Sequence, residues 1–153
     1  MDVLFCDIDG VLRTHQSDLW WSQNLNAPIP DKVFDRKFSR KSVTNLNYAY
    51  NLLRFSIVVS STWRTNFTLE ELKNIFRSNG ISAPVIDKTE SLNDRGEEIQ
   101  EWLDRHPVKK FAVLDDNIQD IKKYIKPDNI IRCDISIGFE DDRLVDRLID
   151  ILA

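Results

Sequence analysis

Short, solidly apolar segments alternate along this chain with segments whose apolar residues recur every three to four positions. The apolar segments predict five strands: "VLFCD" (3–7), "SIVVSS" (56–61), "PVI" (84–86), "KFAVLDD" (110–116) and "NIIRC" (129–133). Strands that are apolar on both faces need cover on both faces, which is typical of a parallel sheet between two helical layers. We therefore predict an α/β, Rossmann-like three-layer sandwich around a five-stranded, mostly parallel sheet.

The segments between these strands predict amphipathic helices. Thr68 and Glu71 form a capping box for a helix that stops at Gly80. Asp94 caps another helix, which ends at Pro107. The remaining predicted helices cover 43–54 with Ser42 as the cap, the stretch after the fourth strand to about Ile125, and the C-terminal apolar pattern from Leu144 to Leu152.

Length and composition predict a single domain over 1–153, because 153 residues that are 42% hydrophobic are enough to bury a sizeable core. No segment is large enough to form a separate cap domain. Residues 13–41 lack a regular pattern and are too long for an ordinary loop, so we predict a flap or loop insertion beside the end of the first strand.

Charge and cysteine content narrow the functional classes. A net charge of −4 and a pI near 5.2 argue against a protein that coats nucleic acid or an anionic membrane. There is no apolar run of about 18 residues, and the acidic Asp2 argues against a secretory signal. Cys6 and Cys133 lie in strand-like runs without a CxxC motif, which indicates reduced core thiols of a cytoplasmic protein. Nothing in the sequence indicates a stable protein partner.

Polar residues collect where three of the predicted strands end. They are Asp7 and Asp9 after the first strand, Ser60, Ser61 and Thr62 after the second, and Asp115 and Asp116 after the fourth. In parallel sheets ligands bind outside these carboxyl ends. If the three strands are neighbours, four carboxylates converge and repel one another unless a cation neutralises them. Ligands that are all oxygen suit Mg²⁺.

These motifs resemble those of the haloacid dehalogenase (HAD) superfamily of phosphohydrolases. "DIDGV" (7–11) matches its first motif, "IVVSS" its second, Arg95 its third and "VLDD" (113–116) its fourth. Longer stretches, "FSRKSVTNL", "IVVSSTWR", "RGEEIQEWL" and "FAVLDDN", resemble the cap-less HAD domain of Swiss Army knife RNA repair proteins.

The resemblance implies a phosphomonoester hydrolase that works through an aspartyl-phosphate. Asp7 is then the nucleophile and Asp9 the general acid and base. The implied Mg²⁺ ligands are Asp7, Asp9 through its backbone carbonyl, Asp115 and Asp116. A hydroxyl group and Arg95 are expected to hold the phosphoryl oxygens.

Two of these assignments have rivals in the sequence. Ser60 follows the apolar run of the second strand directly, but we favour Ser61 because the pattern of "VLFCD" places the polar residue there. Lys88 is the rival of Arg95, which we favour because it opens a strongly patterned helix.

The substrate is expected to be a phosphorylated small molecule or a nucleic-acid end. Trp20 and Trp21 lie in the predicted flap near the basic residues Lys32, Arg36, Lys37, Arg40 and Lys41. Paired aromatic rings beside cations can stack a base and steer a phosphate backbone, although packing of the flap explains them as well. Arg64 is a further candidate substrate contact.

Two other classes share some of these features. A PIN-like metal nuclease also has early and late acidic residues, but it does not need Ser61 or Arg95. A non-catalytic, receiver-like phosphoacceptor carries its acceptor aspartate at the end of the third strand. Here "PVIDK" is the only candidate for that position, and the first motif would be left unexplained.

Overall fold

The computed structural model describes residues 1–25 and 37–153. Its centre is a five-stranded sheet with the order β3-β2-β1-β4-β5, in which every pair of neighbouring strands is parallel. The strands are β1 (Asp2–Cys6), β2 (Ser56–Val59), β3 (Val85–Lys88), β4 (Lys110–Asp115) and β5 (Ile130–Arg132). The predicted α/β fold class is confirmed, and the sheet is wholly rather than mostly parallel.

Five α-helices accompany the sheet in the described residues. They are α1 (His15–Asn24), α2 (Arg40–Leu53), α3 (Leu69–Ser78), α4 (Arg95–Arg105) and α5 (Asp142–Leu152). The Thr68–Glu71 capping box of α3 and the Asp94 cap of α4 are both present, as predicted. None of these helices is long and apolar enough to cross a membrane.

The two faces of the sheet bury different clusters, because successive residues of a strand point to opposite sides. Leu4 and Cys6 of β1 pack in a cluster that includes core residues of α2, α3 and α5. Val3 and Phe5 pack in a second cluster with Ile99 and Trp102 of α4. Helical cover on both faces gives the predicted three layers. Cys6 and Cys133 are buried free thiols.

The chain after β4 does not form the predicted α-helix. It forms only a short 3₁₀ turn over Ile121–Lys123. Side chains compete for the backbone here: the N–H of Asn117 donates to Asp115 Oδ1, and the N–H of Gln119 donates to Asn117 Oδ1. Such local bonds favour turns over a continuous helix.

The region 13–41 is more regular than predicted, because it contains α1. A reciprocal capping box between Thr14 and Ser17 begins this helix, whose apolar residues do not recur at helical spacing and so gave no signal. Helix α2 also begins earlier than predicted, with Ser39 rather than Ser42 as its cap. The predicted basic residues Lys32 and Arg36 lie outside the described residues.

Candidate active site

Three polar residues lie at the same level at the carboxyl ends of the neighbouring strands β2, β1 and β4. Cys6 pairs with Val59 on one side and with Leu114 on the other. The ladders continue one step further, because the N–H of Ser60 donates to the carbonyl of Cys6 and the N–H of Asp7 donates to that of Leu114, both at 3.0 Å. Asp7, Ser60 and Asp115 therefore lie side by side at the carboxyl edge, where this fold class binds ligands.

The carboxylates of Asp7, Asp115 and Asp116 form a compact cluster. One oxygen of each lies within 4.8 Å of the others, and Asp7 and Asp115 are 6% and 1% exposed. Burial, and then the charge of Asp115, raise the pKa of Asp7 well above its usual range. Burial raises the pKa of Asp115 as well. Buried carboxylates that resist ionisation in this way favour a bound cation, and an all-oxygen donor set suits a hard divalent ion such as Mg²⁺.

Arg95 supplies positive charge to the same cluster from the first turn of α4. Its Nη1 lies 2.6 Å from Asp115 Oδ2, 3.7 Å from Asp7 Oδ2 and 3.1 Å from the carbonyl oxygen of Ser60. Burial opposes the charge of this guanidinium, but Asp115 and Asp7 raise its pKa above the usual value. Arg95 therefore remains a cation beside the nucleophile candidate, where an anionic group would meet it.

Lys88, the rival of Arg95, points its charge elsewhere. Its Nζ donates to the backbone carbonyls of Arg64 and Phe67, at 3.0 and 3.2 Å. These bonds tie the end of β3 to the turn after β2, so the geometry favours Arg95 as the cation of the site.

Asp9 stands apart from the three clustered carboxylates. Its side chain is 52% exposed, and its two oxygens accept hydrogen bonds from Arg13 and from the indole N–H of Trp63. The chain bends at Ile8 and turns after Asp9, where Ile8 O accepts bonds from the N–H groups of Val11, Leu12 and Arg13. The two aspartates of the first motif therefore have different surroundings, one buried among charges and the other held near solvent.

The two serine hydroxyls also differ in their surroundings. Ser61 Oγ accepts a hydrogen bond from the N–H of Trp63 at 3.3 Å and caps the 3₁₀ turn Thr62–Thr65. Ser60 Oγ is buried and has no hydrogen-bond partner among the described residues. A buried hydroxyl without a partner, directly beside Asp7 on the neighbouring strand, is a stronger candidate for binding phosphate than a hydroxyl already used as a cap. The geometry therefore favours Ser60, whereas the sequence pattern favoured Ser61.

A cavity of about 350 Å³ opens beside this cluster. Its lining comes from four segments: Asp7; Thr62 and Arg64; Leu92 to Arg95 with Glu98; and Asp115 to Asn117 with Asp120. The cavity is large enough for a phosphate group, and its lining, whose charged residues are mostly acidic, would accept an anion only beside a bound cation.

Arg64 lines this cavity, but its guanidinium is already paired. It forms an ion pair with Glu98, and its Nη1 donates to the carbonyl of Ser61 at 2.7 Å. Glu98 is 3% exposed and also accepts the N–H of Leu92 at 2.9 Å. Sequence reasoning did not identify Glu98, although its position three residues after Arg95 on one helix was an available signal. These contacts make Arg64 part of the cavity wall.

Trp20 and Trp21 lie outside the cavity that contains Asp7. Their rings make an edge-to-face contact with centroids 4.9 Å apart. Arg40 lies over Trp20 and Lys37 over Trp21, at 5.3 and 5.6 Å from the ring centroids. Trp20 lines a separate cavity of about 480 Å³, and Trp21 donates its indole N–H to the carbonyl of Phe38. The predicted pairing of aromatic rings with cations is thus present, but it forms a different surface.

Comparison with known proteins agrees with this geometry. The chain matches the family described as the HAD domain in Swiss Army Knife RNA repair proteins, over residues 3–144. No curated protein and no solved structure matches the chain significantly. The family match covers the five strands, except the first residue of β1, and every residue of the carboxylate cluster. The chain therefore belongs to the HAD domains of Swiss Army Knife RNA repair proteins, a family whose general activity is that of phosphohydrolases.

Proposed function

We propose that the protein is a Mg²⁺-dependent phosphomonoester hydrolase that acts through an aspartyl-phosphate on Asp7. The observation that carries this proposal is the placement of three carboxylates and Arg95 around one cavity at the edge of the sheet. Family membership supports the general class of reaction. The residue roles, the metal and the substrate belong to the proposal.

Asp7 is the proposed nucleophile. Its Oδ1 accepts the N–H of Ile8 at 2.8 Å, while Oδ2 lies toward Arg95. A carboxylate oxygen of Asp7 forms a bond to phosphorus in line with the departing ester oxygen, whose bond to phosphorus breaks. The negative charge departs on the ester oxygen. Arg95 and the Ser60 hydroxyl are the proposed ligands of the remaining phosphoryl oxygens.

Asp9 is the proposed group that moves the proton. The leaving alkoxide takes a proton from the Asp9 carboxyl and departs as an alcohol. Asp9, now a carboxylate, then accepts a proton from the water that attacks the phosphorus of the intermediate, which releases inorganic phosphate and restores Asp7. The exposed position of Asp9 suits a group that must meet both the leaving alcohol and water.

Asp7, Asp115 and Asp116 are the residues that would hold Mg²⁺ by their side chains, with the backbone carbonyl of Asp9 as a further ligand. When bound, the ion neutralises the repulsion between the carboxylates and an anionic phosphate. The Arg95 guanidinium also faces Asp7 and Asp115 and contributes positive charge to the same cluster.

The proposed substrate is a terminal phosphate on a nucleotide or a nucleic-acid end. The family association with RNA repair supports this choice. The Trp20–Arg40 surface supplies an aromatic ring and a cation outside the catalytic cavity, where the continuing strand would be met.

The test is Mg²⁺-dependent phosphate release from 5′- and 3′-nucleotides, phosphorylated oligonucleotides and an aryl phosphate. We expect release with Mg²⁺ and none with chelator. Asp7→Asn should reduce turnover below about a hundredth of wild type, while the surface control Asp128→Asn keeps it. Beryllium fluoride with Mg²⁺ should raise the melting temperature, because it mimics a phosphorylated aspartate and binds the folded state.

The same panel separates the two alternatives. Cleavage of internal phosphodiester bonds without release of terminal phosphate would favour the PIN-like nuclease. A stable phosphorylated chain without turnover would favour the receiver-like phosphoacceptor. Turnover that survives in Asp7→Asn would exclude Asp7 as the nucleophile.

A further inference from the structure

Both carboxylate oxygens of Asp9 accept hydrogen bonds from buried side chains, one four residues along the chain and one from the turn after β2. Oδ1 accepts from Nη1 of Arg13, and Oδ2 accepts from the indole N–H of Trp63 at 2.9 Å. Arg13 and Trp63 are 9% and 4% exposed, whereas the Asp9 side chain is half exposed. The orientation of this carboxylate is therefore set by the protein interior, although the group itself faces solvent.

Arg13 is itself fixed by a third residue. Its Nε and Nη2 make a two-point contact with Asp18 in the first turn of α1, at 3.1 and 2.8 Å. Such a fork fixes the plane of a guanidinium and leaves Nη1 pointing in one direction. That remaining donor goes to Asp9. A substitution of Asp18 should thus change the orientation of the Asp9 carboxylate, because it frees the Arg13 guanidinium.

Trp63 is held by aromatic packing. Its ring lies against Phe38 and Phe67, with centroids 6.3 and 5.7 Å away, and the Arg13 guanidinium carbon lies 5.8 Å from it. An indole has one polar atom, the N–H, and here that atom is directed at Asp9. Trp63 follows Ser61 in the turn after β2, so it links the second motif to the first.

We propose that Arg13 and Trp63 are positioning residues that fix the Asp9 carboxyl group for proton transfer, with Asp18 acting through Arg13. This inference rests on the proposed function. Each carboxylate oxygen has two lone-pair sites, so one accepted bond on each oxygen leaves a site free for the reacting proton. In the described part of the chain, the hydrogen bonds of these side chains go to aspartates 9 and 18, not to Asp7 or Arg95. Their loss should therefore affect kcat more than KM.

The first test needs no activity. The four tryptophans give four indole N–H resonances in a proton–nitrogen NMR spectrum, which single Trp→Phe variants assign. Asp9→Asn should move the Trp63 resonance, because the side chain that accepts its N–H changes from a carboxyl group to an amide. Trp102 is the matched control, since its indole N–H donates to Asp87 Oδ2 at 2.7 Å in the other core cluster. A Trp63 resonance that stays in place in Asp9→Asn would overturn the contact.

The second test is kinetic. Trp63→Phe keeps an aromatic ring but removes the donor, and Arg13→Gln removes the cation. We expect each to lower kcat about tenfold or more, with KM changed by less than about twofold. Trp102→Phe removes an equivalent bond from the core and should leave kcat unchanged. Asp18→Asn should lower kcat by a smaller factor. It replaces Trp63→Phe or Arg13→Gln as the test if either of those variants does not fold.

A double-mutant cycle decides whether the effect passes through Asp9. In the Asp9→Asn background, Trp63→Phe and Arg13→Gln should cost no further activity, since the group they orient is gone. Losses that add in full would overturn the positioning role while leaving the phosphatase intact. A wild-type protein that releases no phosphate from any member of the panel would instead overturn the proposed function, and the proton-transfer role with it.

Discussion

Gly10 lies directly against the side chain of Asp116: a Cβ atom added to Gly10 would be 2.6 Å from Cγ of Asp116. The first motif and the acidic pair at the end of β4 are therefore in direct contact. The contact is possible because Gly10 has no side chain. Gly10 also has φ of +80°, a conformation that residues with a Cβ adopt at a cost of roughly 1–2 kcal/mol. This glycine serves both the turn and the carboxylate cluster.

Gly10→Ala should lower activity and the stabilisation by Mg²⁺, because Asp116 must move away from the cluster. Gly80→Ala is the matched control: its φ is +84°, but the nearest atom to its added Cβ is 3.9 Å away, on Val43. Both variants should lose stability through backbone strain. Melting curves without Mg²⁺ measure the backbone strain. The additional stabilisation by Mg²⁺, together with phosphate release, measures the effect of displacing the Asp116 carboxylate. Equal Mg²⁺ responses in the two variants would show that Asp116 is not needed.

Asp7→Asn should make the metal-free protein more stable at pH 7. Burial and the neighbouring Asp115 raise the pKa of Asp7 above its ordinary value near 3.8. The folded chain then binds a proton more tightly than the unfolded chain, so the free energy of unfolding falls as pH rises from the unfolded pKa through the folded one. Above that window, the buried charge opposes folding in full, and Asp7→Asn removes it.

We expect the melting temperature of Asp7→Asn to exceed that of wild type by at least about 2 °C at pH 7, since about 1 kcal/mol moves it by roughly 2–4 °C in a chain of this size. The difference should shrink below about pH 3, where Asp7 is protonated in the folded chain and largely protonated in the unfolded one. Asp128→Asn, at an exposed position, should show neither effect. A less stable Asp7→Asn at pH 7 would mean that Arg95 more than compensates the buried charge.

Ser60→Ala and Ser61→Ala should separate phosphate binding from capping. Ser60 Oγ has no partner among the described residues, so its loss should not destabilise the metal-free fold. It should raise the KM for phosphorylated substrates about tenfold, since a hydrogen bond to a charged group contributes roughly 1.5–3 kcal/mol. Ser61→Ala should cost roughly 0.5–2 kcal/mol of stability through the lost cap, with little change in KM. The reverse pattern would restore Ser61 as the phosphate ligand.

The sheet and the convergence of the acidic residues were predictable because both depend on local patterns. Solid apolar runs set the strands, and parallel strands place their carboxyl ends at one edge. The residues at those ends, Asp7, Asp115 and Asp116, lie together in the structure. Arg95 follows the Asp94 helix cap, which the sequence also shows. A helix that follows a strand in a parallel sheet begins at the carboxyl edge, so the position of Arg95 was predictable as well.

Side-chain partners were not predictable in the same way. The choice between Ser60 and Ser61 depends on strand register to a single residue, which an apolar pattern does not fix. The contacts of Asp9 with Trp63 join positions 54 residues apart, and they follow from tertiary packing. Helix α1 was not predicted because it has no apolar stripe, although a Thr14–Ser17 capping box begins it. Local sequence patterns thus predicted which strands and carboxylates form the site. The hydrogen-bond partners of its side chains depend on tertiary packing.

The Trp20–Trp21 surface is the expected contact for a nucleic-acid strand. Trp20 is 39% exposed with Arg40 over its ring, whereas the indole N–H of Trp21 is tied to the carbonyl of Phe38. If a nucleic-acid strand stacks here, each base contributes roughly 1–3 kcal/mol, so Trp20→Ala should lower kcat/KM for a phosphorylated oligonucleotide about tenfold. Trp21→Ala should do the same and also lower stability, because it removes a tertiary hydrogen bond.

Neither variant should change the hydrolysis of an aryl phosphate, because neither ring lines the cavity that contains Asp7. For the same reason, the loss should grow with oligonucleotide length and be smallest for a mononucleotide. Tyr48→Ala is the matched control, since it removes an exposed aromatic ring from α2, 57% exposed, without a predicted contact. If Trp20→Ala lowered kcat/KM equally for the aryl phosphate and the oligonucleotide, the ring would support the fold rather than bind a base. The proposal that the substrate is the terminal phosphate of a nucleic acid would then lose its main local evidence.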